Sequence, residues 1–245
     1  MHGSKAWAGW AELVPPERWN IYRSVIEQAN ARAIPFALAG AFATATHTGV
    51  WRDTNDLDLY TLPENGREMR RLLEGTGLKD IYEEFPYDRE WTYRATDGQT
   101  IVEVIWRMQN RRADVDLEWL TGWGEIAVRS VKLFVTPPEE MMWAKLYVLC
   151  RLRSDWPDVL NYIRVCGSGL DWERLFRRLG EDYPLLGGAL SVFAWLSPRG
   201  TSAIPGWVWR KAGLREPQAA DIEPEHERAA LLFGRQNTFA AASGA

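Results

Sequence analysis

The spacing of apolar residues predicts that the first half of the chain mixes helices with strands. Residues 17–33 carry apolar side chains at helical spacing: Trp19, Tyr22, Val25, Ile26 and Ala29. The segment IPFALAG (34–40) is short, apolar and ends in glycine, which is typical of a strand entering a turn. The following stretch (41–49) fits a helix that ends at Gly49.

Further elements follow from the same patterns. RDTNDLDLYTL (52–62) predicts a second strand, and 65–78 predicts a helix with Met69, Leu72 and Leu73 inward. The pair Asp97-Gly98 indicates a hairpin between two strand-like runs within 89–108. Two more strands are expected near ADVDLEWL (113–120) and IAVRSVKLFV (126–135).

Beyond residue 136 the pattern changes to helices, which are separated by few strand signals. The sequence therefore predicts the α+β class, with strands and helices in the first half and then a mostly helical C-terminal region. We expect two domains, 1–136 and 137–245. The tail from about Glu216 predicts a weak helix and a frayed end.

Composition narrows the possible functions. The 245 residues are 46% hydrophobic and 25% charged, with a net charge of −4, so a broadly basic surface for coating nucleic acid is not expected. The two cysteines lack disulfide or metal-binding spacing, which favours reduced thiols and a cytoplasmic protein. The N-terminus has no signal-peptide pattern, and the longest apolar run is too short to span a bilayer. We expect no membrane role.

Two aspartates stand one residue apart within the second predicted strand. Because side chains alternate along a strand, Asp56 and Asp58 share one face while Leu57 and Leu59 share the other. Like charges this close repel unless a cation lies between them. Mg²⁺ takes one or two protein carboxylates together with phosphate oxygens and water. A solvated polar face of an edge strand explains a bare DxD pattern equally well.

The residues before and after this strand favour phosphate chemistry. Gly40 and Ala41 stand where an apolar strand meets a helix, and the first amides of a helix favour anions. A tight packing turn is the alternative. Glu103 lies within the apolar run TIVEVIW, and a buried carboxylate requires a metal, an arginine or a hydrogen-bond network.

If the Glu103 strand adjoins the Asp56 strand, the three carboxylates converge and provide a site for two metal ions. A competing acidic alternation stands in a more polar setting at Asp114, Asp116 and Glu118.

LAGAF followed by RDTNDLDLY resembles the signature of the nucleotidyltransferase superfamily of the DNA polymerase beta type. That signature has a small-residue pair that opens a helix, then R-x-T-x-D-x-D, to which Arg52, Thr54, Asp56 and Asp58 correspond. The likeness covers residues 34–106. It extends to about 165 through Lys145 and RLRSDWPDVLNYI, an arrangement similar to that of abortive-infection toxins and small bacterial transferases.

The resemblance implies a mixed sheet flanked by helices, as in the nucleotidyltransferase fold. It also implies transfer of a nucleoside monophosphate from an NTP to an acceptor hydroxyl or phosphate, with Mg²⁺ or Mn²⁺ as cofactor. The implied metal and catalytic residues are Asp56, Asp58 and Glu103. The implied nucleotide-binding residues are Gly40, Ala41, Arg52, Thr54 and Lys145. The chain departs from the family at Ala41, where a second glycine or a serine is usual, and at Glu103, where aspartate is usual.

Several interpretations stay open at this point. Lys145 either reaches a phosphate or extends to solvent, and Asp155 and Asp158 have N-capping of a helix as their simplest role. The acceptor is either a small molecule, such as an antibiotic, or an RNA or protein that would need a basic surface. The run RMQNRR, with Arg107, Arg111 and Arg112, is the basic candidate. A non-catalytic module that keeps the fold to bind a nucleotide or a protein is the alternative to an enzyme.

Overall fold

The computed structural model describes residues 7–217 and residue 228, which form two compact units divided between Pro137 and Pro138. The first unit contains a seven-stranded mixed sheet. Its strands are β1 (Phe36–Leu38), β2 (Asp56–Thr61), β3 (Lys79–Asp80), β4 (Thr92–Thr96), β5 (Ile101–Ile105), β6 (Gly124–Val128) and β7 (Val131–Val135). Its helices are α1 (Pro16–Ala31), α2 (Gly40–Thr48), α3 (Gly66–Gly75) and α4 (Leu117–Thr121).

The order of strands across the sheet is β3-β4-β5-β2-β1-β7-β6. Strand β2 is central, because it pairs antiparallel with β1 and parallel with β5. The predicted hairpin at Asp97-Gly98 is confirmed, since β4 and β5 pair antiparallel and Gly98 has a φ of 99°. The carboxylate-bearing strand therefore lies beside the Glu103 strand.

The second unit is mainly helical, so the α+β class with a helical C-terminal region is confirmed. Its helices are α5 (Pro138–Leu146), α6 (Trp156–Cys166), α7 (Trp172–Leu179), α8 (Tyr183–Leu196) and α9 (Gly206–Lys211). None of the described helices combines the length and apolar character that crossing a bilayer requires. The predicted tail from Glu216 lies almost entirely outside the described residues, and its structure stays a prediction.

Buried charge links two helices of this second unit. Glu140 of α5 is fully buried and accepts hydrogen bonds from Nε of Arg174 at 2.8 Å and Nε of Arg178 at 3.1 Å, both on α7. Burial raises the pKa of Glu140 to about 7, although the two guanidinium groups lower it. The effect of desolvation on the pKa of Glu140 is therefore larger than that of its two ion pairs.

Two sequence-based predictions about strands were incomplete. The segment 113–120 forms no strand: Asp114 makes only an isolated bridge to Arg107, and α4 begins at Leu117. Asp116 caps α4 by accepting a hydrogen bond from the amide of Glu118, so its acidic alternation reflects helix capping. The run 126–135 is not one strand but parts of two, β6 and β7, joined by a two-residue turn.

This turn between β6 and β7 consists of Arg129 and Ser130, which have φ values of 45° and 70°. Positive φ at both central residues is the geometry of the tightest hairpin turns, for which Asn-Gly is the usual sequence. Because Arg-Ser carries neither glycine nor asparagine, the turn left no signal in the sequence.

His47 anchors the second turn of α2 inside the first unit. Its Nε2 donates a hydrogen bond to the carbonyl oxygen of Thr136 at 2.8 Å, and Trp123 packs edge-on against the ring at 4.7 Å. The residue is 4% exposed, and burial lowers its pKa from 6.5 to about 4, although the bond to Thr136 raises it. The ring is therefore neutral in the folded protein at physiological pH.

This burial predicts acid sensitivity. Between the two pKa values, 6.5 unfolded and about 4 folded, the unfolded chain binds more protons than the folded one. We therefore expect the free energy of unfolding to fall by about 3 kcal/mol as the pH drops through that window. Urea unfolding of wild type and of His47→Gln, which retains a donor, measures the effect. An equal pH dependence in the two proteins would contradict it.

Candidate active site

The two aspartates of β2 share one face of the sheet. Asp56 and Asp58 are partly exposed, whereas Leu57 and Leu59 between and beyond them are buried. Tyr60, on the same face, packs edge-on against Trp119 of α4 with ring centroids 4.9 Å apart. The face that carries the aspartates is thus closed by α4 at one end of β2 and accessible at the other.

The start of α2 meets this face at Asp58. The amide of Ala39 donates to the carbonyl oxygen of Asp58 at 2.9 Å, and Gly40 follows with a φ of 56°. A Cβ built on Gly40 would lie 1.6 Å from Oδ2 of Asp58, so the carboxylate occupies the space that any side chain would need. The first amides of a helix have no intrahelical acceptor. Helix start and carboxylate therefore border one small region.

Solvent exposure also distinguishes the start of α2 from its surroundings. Gly40 and Ala41 are partly exposed, while the strand before them (36–39) and the rest of the helix after them (42–48) are buried. Two adjacent residues at the helix start are therefore partly accessible beside Asp58, and the missing side-chain hydroxyl at Ala41 leaves backbone donors for an anion.

Glu103 lies directly beside Asp58 in the parallel pairing of β2 with β5. Its carboxylate is engaged by the other neighbouring strand: the Thr92 hydroxyl lies 2.9 Å from Oε1, and Nε of Arg94 lies 3.4 Å from Oε2. The predicted need of Glu103 for a partner is met by an arginine and a hydroxyl. Asp56, Asp58 and Glu103 are brought to one face, as expected.

Among the residues that the structure describes, no group of three or more His, Cys, Asp and Glu side chains is arranged to hold a metal ion. The two aspartates alone still suit Mg²⁺, because this ion is commonly held by one or two carboxylates and completed by phosphate oxygens and water. A metal role for Glu103 stays a prediction.

The known proteins that this chain matches are solved structures. No protein-family model matches the chain, and no curated protein sequence matches it. The solution structure of the antibiotic-resistance factor ANT(2'')-Ia superposes with a TM-score of 0.50 at 16% identity, covering 71% of this chain and 96% of that one.

Two further superpositions have lower scores. The crystal structure of ANT(2'')-Ia with adenylyl-2''-tobramycin gives 0.48 at 17% identity, covering 74% of this chain and 100% of that one. Lincomycin-bound LnuA, a lincosamide antibiotic adenylyltransferase, gives 0.44 at 12% identity, covering 62% of this chain and 98% of that one.

The chain has the nucleotidyltransferase fold. The resemblance read from LAGAF and RDTNDLDLY is confirmed at this level. At 16% identity the likeness concerns the fold, so the assignment of reaction and residues depends on the site itself.

The loop before β2 holds the other residues of the nucleotidyltransferase motif. Strand β2 begins at Asp56, so Arg52 and Thr54 belong to this loop and not to the strand. Thr54 accepts a hydrogen bond from the amide of Asp56 at 3.2 Å, and Arg52 is exposed. Thr54 thus shapes the entry to β2, and nucleotide binding by either residue stays a prediction.

Helix α1 contributes two residues that were not predicted as part of the site. Arg18 donates to the carbonyl of Thr54 at 2.8 Å, and the Tyr22 hydroxyl donates to the carbonyl of Asn55 at 3.0 Å. Burial raises the pKa of Tyr22, with smaller contributions in the same direction from Asp56 and Asp58. The sequence shows these side chains only as members of an amphipathic helix, and no motif links them to the loop.

Lys145 belongs to the second unit, where it is buried at 5% exposure. Its Nζ donates to Oδ2 of Asp155 at 3.1 Å and to Oδ2 of Asp158 at 2.7 Å. Burial alone would raise the pKa of Asp155, but hydrogen bonds and charge from Arg153 and Lys145 hold it below its usual range. Asp155 occupies the N-cap position of α6 and Asp158 lies in its first turn, as predicted, but the Asp155 side chain makes no cap hydrogen bond. Phosphate binding by Lys145 stays a prediction.

The basic run RMQNRR is largely paired with acidic side chains. Arg107 forms an ion pair with Asp114, and Arg111 lies 3.2 Å from Asp88 and 3.0 Å from Glu90. These contacts also account for Asp114, the first residue of the competing acidic alternation. The run is a solvated, internally paired surface at these positions.

The close contact between Gly40 and Asp58 predicts that one methyl group added at residue 40 destabilises the protein substantially. Gly40→Ala introduces positive-φ strain of about 1 kcal/mol and a clash of about 1–3 kcal/mol more. Gly49→Ala is the matched control, since Gly49 has a φ of 69° but no atom within 4 Å of an added Cβ. Urea unfolding is the measurement, and equal losses in both variants would contradict the contact.

The pairing of Lys145 predicts that its loss destabilises the protein. Lys145→Met removes the ammonium group that donates to Asp155 and Asp158 and leaves Arg153 as the cation at Asp155, which costs about 2 kcal/mol for the lost charged hydrogen bonds. Lys132→Met is the control, because Lys132 is 72% exposed and pairs with Glu125 at 3.3 Å. Denaturant unfolding of both variants tests this, and a loss in Lys145→Met no greater than in the control argues against a structural ion pair.

Proposed function

We propose that the protein is a metal-dependent nucleotidyltransferase that moves a nucleoside monophosphate from an NTP to an acceptor hydroxyl or phosphate and releases pyrophosphate. The observation that carries the proposal is the close approach of the Asp58 carboxylate to Gly40 at the start of α2, with Asp56 on the same face of β2. A phosphate-binding helix start and a carboxylate pair at one place are what this chemistry requires. In this proposal residues 1–136 form the catalytic domain and 137–245 a helical domain.

Asp56 and Asp58 would hold Mg²⁺ or Mn²⁺, which when bound neutralises charge on the phosphates. The amides of Gly40 and Ala41 would bind phosphate oxygens through backbone donors, helped by the positive end of α2. Arg52 and Thr54 would orient the phosphates and support the loop that leads into β2.

Glu103 would accept the proton of the attacking group. The acceptor oxygen forms a bond to the α-phosphorus of the NTP as its proton passes to the Glu103 carboxylate. The bond from that phosphorus to the bridging oxygen breaks, and pyrophosphate leaves with the electron pair. Positioning and charge neutralisation supply most of the rate in such phosphoryl transfers.

A small molecule is the acceptor that the surface charge favours. An RNA acceptor would need accessible basic residues, whereas Arg107 and Arg111 of the run RMQNRR are already paired with acidic side chains. A hydroxyl-bearing antibiotic is the first class to test, and a cytoplasmic location would supply the NTP. An RNA or protein acceptor is the competing outcome of the same assay.

A non-catalytic nucleotide-binding or protein-interaction module is the second candidate. The observation that favours it is the engagement of Glu103 by Arg94 and Thr92, which gives this carboxylate a structural partner set. In that case the nucleotide would bind at Gly40 and no product would form.

The test is an assay with each α-³²P-labelled NTP, Mg²⁺ and a panel of acceptors that includes antibiotics and total RNA. We expect labelled product with the wild type and about 10³-fold less with Asp58→Asn. Asp53→Asn is the matched control, because this neighbouring side chain is 85% exposed, and it should retain activity within about twofold.

Two results would decide against the proposal. Nucleotide binding without any labelled product from the wild type would support the non-catalytic module. Labelled product that persists in Asp58→Asn would remove the carboxylate pair from the reaction. Label in RNA would retain the enzyme and replace the acceptor.

A further inference from the structure

Arg94 lies on β4 and stands directly opposite Glu103 of β5. Strand β5 separates β4 from β2, which carries Asp58. The antiparallel register of β4 and β5 pairs Arg94 with Glu103, and the parallel register of β2 and β5 pairs Glu103 with Asp58. Side chains of directly paired residues lie on the same face of a sheet. Asp58, Glu103 and Arg94 therefore form one row across three strands, with two adjacent acids followed by a base.

Both oxygens of the Glu103 carboxylate have a partner on β4. Nε of Arg94 lies 3.4 Å from Oε2, and the Thr92 hydroxyl lies 2.9 Å from Oε1 and 3.0 Å from the carbonyl oxygen of Val104. The Glu103 side chain is only 13% exposed and that of Arg94 27% exposed, so solvent screens this pair weakly. The Thr92 hydrogen bond fixes one carboxylate oxygen, and the Arg94 guanidinium places positive charge beside the other without a hydrogen bond from its Nε.

The positive charge of Arg94 also reduces the repulsion between neighbouring carboxylates. Neighbouring strands are about 4.8 Å apart, so the carboxylates of Asp58 and Glu103 repel each other. The guanidinium of Arg94 compensates one of these charges before any substrate binds. Ile101 and Ile105 flank Glu103 on its own face and reduce the access of water, which strengthens the compensation.

We infer that Arg94 is a positioning residue that holds Glu103 as the proton acceptor for the attacking group and keeps it from serving as a metal ligand. The inference rests on the proposed function. It also accounts for glutamate at this position, because the additional methylene lets the carboxylate reach Arg94 and Thr92 on β4.

The experiment compares four variants: Arg94→Gln, Arg94→Lys, Glu103→Gln and the double variant Arg94→Gln/Glu103→Gln. If Arg94 acts through Glu103, Arg94→Gln lowers kcat by about 10- to 100-fold and leaves the KM for the NTP within about threefold. The double variant should then be no slower than Glu103→Gln alone, since coupled residues are not additive. Arg94→Lys, which keeps the charge, should recover part of the rate.

Arg89→Gln is the matched control. Arg89 forms an ion pair of 2.6 Å with Asp80 of β3, which pairs with Ala95 and so lies on the face of the sheet opposite to that of Arg94. Its kcat should stay within about twofold of wild type. Thermal unfolding of all variants separates loss of fold from loss of positioning.

Metal affinity provides a readout that does not depend on turnover. With Mn²⁺ followed by electron paramagnetic resonance in the presence of NTP, Glu103→Gln should change the affinity by less than about threefold. Asp58→Asn should lower it by about 10- to 100-fold, the usual effect of losing a metal-site residue.

Three outcomes would overturn the inference. Additive losses of kcat in the double variant would show that Arg94 acts independently of Glu103. A rise of tenfold or more in the KM for the NTP in Arg94→Gln would make it a substrate ligand, and a comparable loss of Mn²⁺ affinity in Glu103→Gln would make Glu103 a metal ligand. Absence of any transfer by the wild type would instead reject the proposed function, and the positioning role with it.

Discussion

The candidate site depends on the absence of a side chain at Gly40. The Asp58 carboxylate occupies the volume of the missing Cβ, while the carbonyl of the same aspartate accepts a hydrogen bond from Ala39. The pairing of Leu38 with Leu59 sets this arrangement, because it brings the end of β1 level with the middle of β2. One backbone geometry thus fixes both the start of α2 and the direction of the carboxylate.

A second layer of contacts holds the loop that leads into β2. Arg18 and Tyr22 of α1 donate to the carbonyls of Thr54 and Asn55, and Thr54 in turn accepts from the amide of Asp56. These partly buried hydrogen bonds fix the direction of the backbone, because each gives a loop carbonyl or amide a defined partner. The position of Asp56 therefore depends on a helix that lies more than thirty residues earlier in the chain.

The sequence predicted features whose physical cause is local. The shared face of Asp56 and Asp58 follows from strand alternation, and the turns at Gly40 and Asp97-Gly98 follow from the conformational freedom of glycine. Features that depend on how two elements pair or pack against each other were not predicted. The pairing of Arg94 with Glu103 requires the register of two strands, and that of Lys145 with Asp155 requires the contact of two helices.

The strand prediction for ADVDLEWL was wrong for a different reason. Over so few residues, an acidic alternation and a capped helix start have the same pattern, and the cap at Asp116 decided the outcome.

The electrostatics of the sheet separate the three carboxylates into two kinds. Glu103 faces a guanidinium on β4 and lies between Ile101 and Ile105, so its charge is compensated within the protein. Asp58 instead borders the start of α2, which carries partial positive charge, and Asp56 lies on the same face of β2. A phosphate placed at α2 repels nearby carboxylates, and a divalent cation removes that repulsion. In the proposed function the aspartate pair would bind a cation together with its phosphate ligand, whereas the charge of Glu103 is already compensated by Arg94.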